Sequence, residues 1–203
     1  MHWTRLALGA AVLALAGPTF AQNLFTNGDF SADTAPTNQS ATGWTTGGNG
    51  HSAGNGGVIN DIRNFNGNYY WINDAPGPTV SISQLISFTP GNTLNLSGVY
   101  ATRVLGSGSN SLRIQVFDNG TNTLLDEHSF SPTAQGNWTS FNYATSVINT
   151  SNLRVSFVAQ VGSDDDYMID ELSAVSVSPT AAPEPTSALL GLLGVPFLLR
   201  RRK

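Results

Sequence analysis

Cysteine is absent from all 203 residues, which excludes a disulfide framework, a thiol nucleophile and a thiolate metal site. Lysine occurs once, at Lys203. Between Gln22 and Pro179 the cations are Arg63, Arg103, Arg113 and Arg154, set against twelve carboxylates, so this stretch carries a net charge near minus eight. A surface of that sign repels phosphate backbones and anionic headgroups, which argues against a nucleic-acid partner. Helical periodicity is missing from the same stretch, and no repeat recurs at a fixed period, so long helices, propellers and solenoids are set aside. Asn, Ser, Thr and Gly supply the polarity instead, a composition suited to turns and strands.

The chain holds short apolar–polar alternations separated by Gly, Asn and Pro clusters. The clearest pair is Ser111–Phe117 and Thr123–Phe130, joined through Asp118-Asn119-Gly120-Thr121, where Asn-Gly is expected to supply the positive φ values of a tight hairpin. Leu112, Ile114 and Val116 then share one face. Further strands are expected at 80–88, 93–103, 138–143, 153–161 and 167–177, with Thr89-Pro90-Gly91-Asn92 as a turn. About eight strands without helices predict an all-β fold, an antiparallel β-sandwich of the jelly-roll kind. About 150 residues form one domain with a substantial core.

Both ends of the sequence read as addresses. Met1–Ala21 has a short lead with Arg5, an apolar core from Leu6 to Ala16 and small residues before a cleavage point after Ala21, the pattern of a secretory signal peptide. Residues 22–179 form the sandwich domain, and 180–203 form a tail in which Pro183-Glu184-Pro185 precedes the apolar run Ser187–Leu199 and Arg200-Arg201-Arg202-Lys203. Thirteen helical residues reach only about 20 Å, short of the roughly 30 Å hydrocarbon core, and Pro196 interrupts them. The four cations stay on the cytoplasmic side and orient what precedes them outward. The tail resembles the PEP-CTERM sorting signal of exopolysaccharide-producing Gram-negative bacteria. The resemblance implies signal peptidase and an exosortase-like enzyme as partners, a short hydrophobic sorting helix with transient inner-membrane insertion, and a final place at the cell surface or in the extracellular matrix.

A second resemblance rests on four short motifs in order: Asn23-Leu-Phe-Thr-Asn-Gly-Asp-Phe30, Gly43-Trp44, Ser83-Gln84 with Thr89-Pro90-Gly91, and Tyr167-Met-Ile-Asp-Glu-Leu-Ser173. Together they resemble a galactose-binding-like jelly roll, as in carbohydrate-binding modules, over nearly the whole of 22–179. The resemblance implies sugar binding and a structural calcium held by an acidic residue after Asn-Gly-x-Phe and by the last strand's Asp. Asp170 matches the second position. Ser31 stands where the family commonly has Glu, which leaves Asp29, Asp33 or backbone carbonyls as substitutes.

Phe65, Tyr69, Tyr70 and Trp71 cluster among Asn64, Asn66, Asn68, Asn73 and Asp74. Pyranose C–H faces lie against aromatic rings while amides and carboxylates bind the hydroxyls. Alternation divides the cluster, and Tyr70 with Ile72 is expected inside, leaving Tyr69, Trp71, Asn73 and Asp74 as ligand contacts. Trp44 and Trp138 are expected in the core. Asp164-Asp165-Asp166 reads as a solvated turn, since the EF-hand register is absent. The six-glycine stretch Thr45–Gly57 lacks the Lys-Ser/Thr of a phosphate loop and reads as a mobile loop with His51 exposed.

No residue is assigned a catalytic role. There is no Gly-x-Ser-x-Gly elbow, and Asp126 with His128 on one strand face reads as a solvent-facing ion pair. The sequence thus predicts an exported, non-catalytic module that binds extracellular polysaccharide weakly. The first alternative is a structural surface or biofilm-matrix protein whose aromatic cluster is buried; the second is a glycan hydrolase with converging carboxylates.

Overall fold

The computed structural model describes residues 22–34, 40–47, 57–59, 67–72, 80–104, 111–131, 133–134, 136–160 and 166–179. Among the described residues ten strands run in chain order: β1 Thr45–Gly47, β2 Gly57–Ile59, β3 Tyr69–Ile72, β4 Val80–Ser87, β5 Thr93–Val104, β6 Ser111–Asp118, β7 Thr123–Phe130, β8 Thr139–Ala144, β9 Asn152–Gln160 and β10 Asp166–Val177. They form two five-stranded sheets, ordered β1-β4-β9-β6-β7 and β2-β3-β10-β5-β8, with antiparallel pairing throughout. The predicted all-β sandwich is what the chain forms. The signal peptide expected over 1–21 and the sorting tail expected over 180–203 lie outside the described residues.

Alternation dictates which side chains meet between the sheets. From the first sheet come Ile82, Ile86, Leu112, Ile114, Val116, Leu153, Val155, Phe157 and Ala159, and from the second Tyr70, Ile72, Leu94, Leu96, Tyr167, Ile169, Leu172 and Ala174, all buried in one cluster. Trp44 lies in it too, its ring 5.0 Å from Phe25, 5.9 Å from Phe30 and 6.1 Å from Phe157.

The described residues before β1 form no ladder and are clipped to both sheets. Leu24 N–H donates to Ala174 O at 2.7 Å and Ala174 N–H to Asn23 Oδ1 at 2.9 Å, on the second sheet. On the first, buried Gln84 accepts from Thr26 N–H through Oε1 at 2.8 Å and donates through Nε2 to Thr26 O and Gly43 O, both at 2.9 Å. This explains why a polar residue faces inward between Ile82 and Ile86: it satisfies backbone groups that no strand partners.

Two local expectations change. The hairpin β6–β7 closes without positive φ at Asn119 or Gly120; Asn122 takes it, at 56°, while Asp118 Oδ1 accepts from Gly120 N–H at 2.8 Å. The loop is two residues longer than a two-residue turn, so a side-chain cap and one left-handed residue return the chain. Within the expected loop Thr45–Gly57, the first three residues pair with β4 as β1 and Gly57 opens β2; His51 lies outside the described residues. At Thr89–Asn92 the expected turn forms, with Gly91 at φ 87° after Pro90.

Candidate functional site

A second apolar cluster lies apart from the core, built from Tyr69, Ala101 and Met168 with Trp71 and Trp138 packed against it. Its place follows from the pleat. Tyr70 and Ile72 of β3 and Tyr167 and Ile169 of β10 point between the sheets, so Tyr69, Trp71 and Met168 point to the outer face of the second sheet. Gly57, Trp71, Met168 and Ala101 oppose one another across β2, β3, β10 and β5, and Trp138 precedes β8, whose Thr139 opposes Tyr100. The result is a transverse band from Trp71 to Trp138, three strand spacings or about 14 Å wide. Ala101 keeps its middle low. Trp138 meets Tyr69 edge to face, with ring centroids 5.6 Å apart at 72°.

The assignment within this cluster differs from the expected one. Tyr69 is 1% exposed, because Trp138 and Met168 close over it, so its ring is not a solvent-facing contact. Trp71 is half-buried and keeps an outward surface. Trp138, expected inside, instead belongs to the outer cluster. Strand parity carried that signal: Phe141 and Tyr143 face the core side of β8, and Trp138 shares the parity of exposed Ser140 and Asn142. Asn73 and Asp74 lie outside the described residues.

Asp170 borders this cluster. Carried one residue further, the β3–β10 register sets it beside Tyr69. It is 3% exposed, and among the described residues its Oδ1 has no hydrogen-bond partner. Burial pushes its carboxyl up to about 7; the charges of Glu171 and Asp29 add to the rise, and the Glu171 backbone N–H opposes it. The next residues form a bulge in which Glu171 takes φ 52° and Leu172 turns into the core.

The three carboxylates proposed for calcium do not assemble: among the described residues no group of three or more acidic or histidine side chains is placed to share an ion. Asp33 is spent elsewhere, accepting from Asn27 Nδ2 at 2.8 Å and from Thr42 N–H at 3.0 Å and Oγ1 at 2.8 Å. It pins the loop before β1. Asp29 accepts from Ser31 Oγ at 2.9 Å. Of the other two, Asp29 alone acts on Asp170, its charge adding to the rise.

Asp126 and His128 do not pair as expected. Asp126 accepts from the Tyr143 hydroxyl and from Ser146 N–H, while His128 stacks on the Tyr143 ring at 4.5 Å and 18°. These contacts join edge strands β7 and β8 and close that side of the sandwich. Burial first, and then Asp126, push the Tyr143 hydroxyl well above its ordinary range, which makes it no ready nucleophile. Glu127 instead meets Arg113 at 3.5 Å.

No family model matches the chain, and no curated protein matches it. The fold nevertheless defines a class, the two-sheet antiparallel jelly roll with an aromatic outer face. In particular, the chain is similar to a family 61 carbohydrate-binding module solved in complex with β-1,4-galactotriose, at 12% identity and TM-score 0.56, over 77% of this chain and 99% of that one. It is also similar to a family 22 xylan-binding domain from Paenibacillus barcinonensis, at 14% identity and TM-score 0.54, over 81% and 100%. A third similar structure is the enzymatically active domain of bacteriophage CBA120 tailspike protein 4, at 13% identity and TM-score 0.56, over 76% of this chain but 21% of that one. At such identities the likeness shows the fold.

Proposed function

We propose that this chain is a non-catalytic carbohydrate-binding module whose ligand is an extracellular polysaccharide and whose site is the outer face of its second sheet. The band from Trp71 to Trp138 carries the reading. A sandwich needs rings between its sheets, whereas rings on the far side leave apolar surface in water that a sugar face can cover. The galactotriose-bound and xylan-binding modules of like fold support the ligand class. Trp71→Ala is expected to weaken retention on β-1,4-galactan or xylan at least tenfold, about 1.4 kcal/mol, with unchanged circular dichroism. Retention equal to the parent's would overturn the site.

The second reading is a structural matrix protein without specific glycan binding. The closure of Tyr69 beneath Trp138 favours it, since that part of the cluster already covers itself. Failure of the parent chain to bind any glycan on an array would select this reading.

A structural calcium belongs to the same proposal. The orphaned, buried Asp170 Oδ1 with the Asp29 charge nearby suits one cation, which Asp170 and Asp29 would hold with carbonyls and water completing the six to eight oxygens it requires. Export, processing by signal peptidase and an exosortase-like enzyme, and placement at the surface or in the matrix complete it; Met1–Ala21, Pro183-Glu184-Pro185 and Arg200–Lys203 lie outside the described residues. Neutral residues in place of Arg200–Lys203 are expected to leave the chain unprocessed in the inner membrane. Wild-type fractionation and mass would remove the sorting role.

A further inference from the structure

Among the described residues the large apolar side chains most open to water are Leu85, Leu124, Leu125, Val147 and Val177, at 62%, 46%, 38%, 52% and 36% exposure. Scattered in sequence, they gather at one end of the sandwich. In the first sheet Leu85 opposes Arg154, Arg154 opposes Phe117 and Phe117 opposes Leu124. This transverse row, about 14 Å across four strands, lies within two residues of Ser87, Asp118, Thr123 and Asn152, where those strands end or begin. Leu125, Val147 and Ile148 line a cavity of about 330 Å³ at the same end, with Asp118 also in its lining. Val177 joins them through the second sheet: it opposes Thr93, while neighbouring Asn92 donates to Ser176 Oγ at 2.8 Å and bridges to Ile148.

The chain also leaves the sandwich here. β10 is the last strand among the described residues, and nine residues, 178–186, separate Val177 from the apolar run Ser187–Leu199. Fully extended, nine residues reach about 30 Å. A bilayer holding that run would have this end of the sandwich within reach and the opposite end beyond it.

We propose that this end docks on a lipid bilayer surface, with Leu85, Leu124, Leu125 and Val147 entering the interface and Arg154 at headgroup level. Arg154 is built for that depth. Its guanidinium lies 4.5 Å from the Phe117 ring centre and donates to Asn122 Oδ1 at 2.7 Å, so its stem is among apolar groups while its head stays polar. Asp118 in the cavity lining and the acidic domain as a whole make zwitterionic lipid the preferred surface. Docked this way, the aromatic outer face of the second sheet stands beside the membrane normal and remains open.

Because the chain lacks cysteine, one introduced cysteine labels one place. Full-length Leu124→Cys, Val147→Cys and Ser129→Cys proteins, the last on β7 toward the opposite end, would each carry an environment-sensitive fluorophore. They would be mixed with phosphatidylcholine vesicles containing headgroup-proximal nitroxide lipids. At least twofold quenching at 124 and 147 with none at 129 is expected, and weaker quenching when phosphatidylglycerol replaces part of the lipid. Equal quenching at all three positions, or none at 124 and 147, overturns the proposal whether or not the protein floats with the vesicles. A vesicle-independent blue shift at 124 and 147 also overturns it, assigning the face to a second copy if the sedimenting mass doubles and to the chain's own apolar run if it does not.

Discussion

Raising the pH from 4 to 7 in the absence of calcium is expected to remove up to about 4 kcal/mol of stability through Asp170 alone, and Asp170→Asn to abolish that part of the slope. The carboxyl moves from an ordinary 3.8 to about 7 because it is buried, so between those values the folded protein holds a proton that the unfolded chain has released. Stability from this group is therefore full below pH 4, declines through the window and is flat above 7. Urea unfolding at pH 4, 5.5, 7 and 8 for both proteins isolates the effect as their difference, and a constant difference across that range would refute it. Calcium separates two origins for the unpartnered oxygen. If Asp170 and Asp29 hold the ion, millimolar calcium at pH 8 restores most of the loss in the parent and does nothing for Asp170→Asn. A chelator without effect on the parent would remove calcium from the proposal and leave the pH slope intact.

Gly28→Ala is expected to destabilise the protein by about 3 kcal/mol, at the upper end of overpacking costs. A Cβ on Gly28 would lie 2.0 Å from Leu172 O, a backbone atom that no rotamer change can move. The approach is close because Gly28 O accepts from Leu172 N–H at 2.9 Å and Asn23 Nδ2 donates to Leu172 O at 3.3 Å, so the N-terminal segment lies directly on the bulge of β10. Thermal unfolding with a midpoint lower by roughly 9 °C would fit that cost, whereas an unchanged midpoint would mean that the two segments are not held together in solution.

The strands between the sheets were legible where apolar residues alternate with polar ones: Leu112, Ile114 and Val116, or Leu153, Val155 and Phe157, announce period two. Three-residue β1 and β2 were not, since Thr45-Thr-Gly47 and Gly57-Val-Ile59 are too short to show a period and are strands only through their partners. At the site, alternation correctly sent Tyr70 and Ile72 inward. It could not reveal that Tyr69 would be roofed, because the roof is Trp138, about seventy residues away and three strands across. Asp33 misled for a related reason. A carboxylate after Asn-Gly-x-Phe suggests an ion, but Thr42 and Asn27 reach it first, and nothing in residues 27–42 marks that closure.

The central position of β10 in the second sheet sets a timetable. Its neighbours β3 and β5 have nothing to pair with between them until the last strand arrives, and Asn23 and Leu24 wait for Ala174 across almost the whole domain. Such long-range closure is slow, and it withholds the native state from a growing chain until its final strand has been made. A polypeptide threaded through a membrane pore as it is synthesised would thus remain threadable to the end, and the sandwich would close only on the far side.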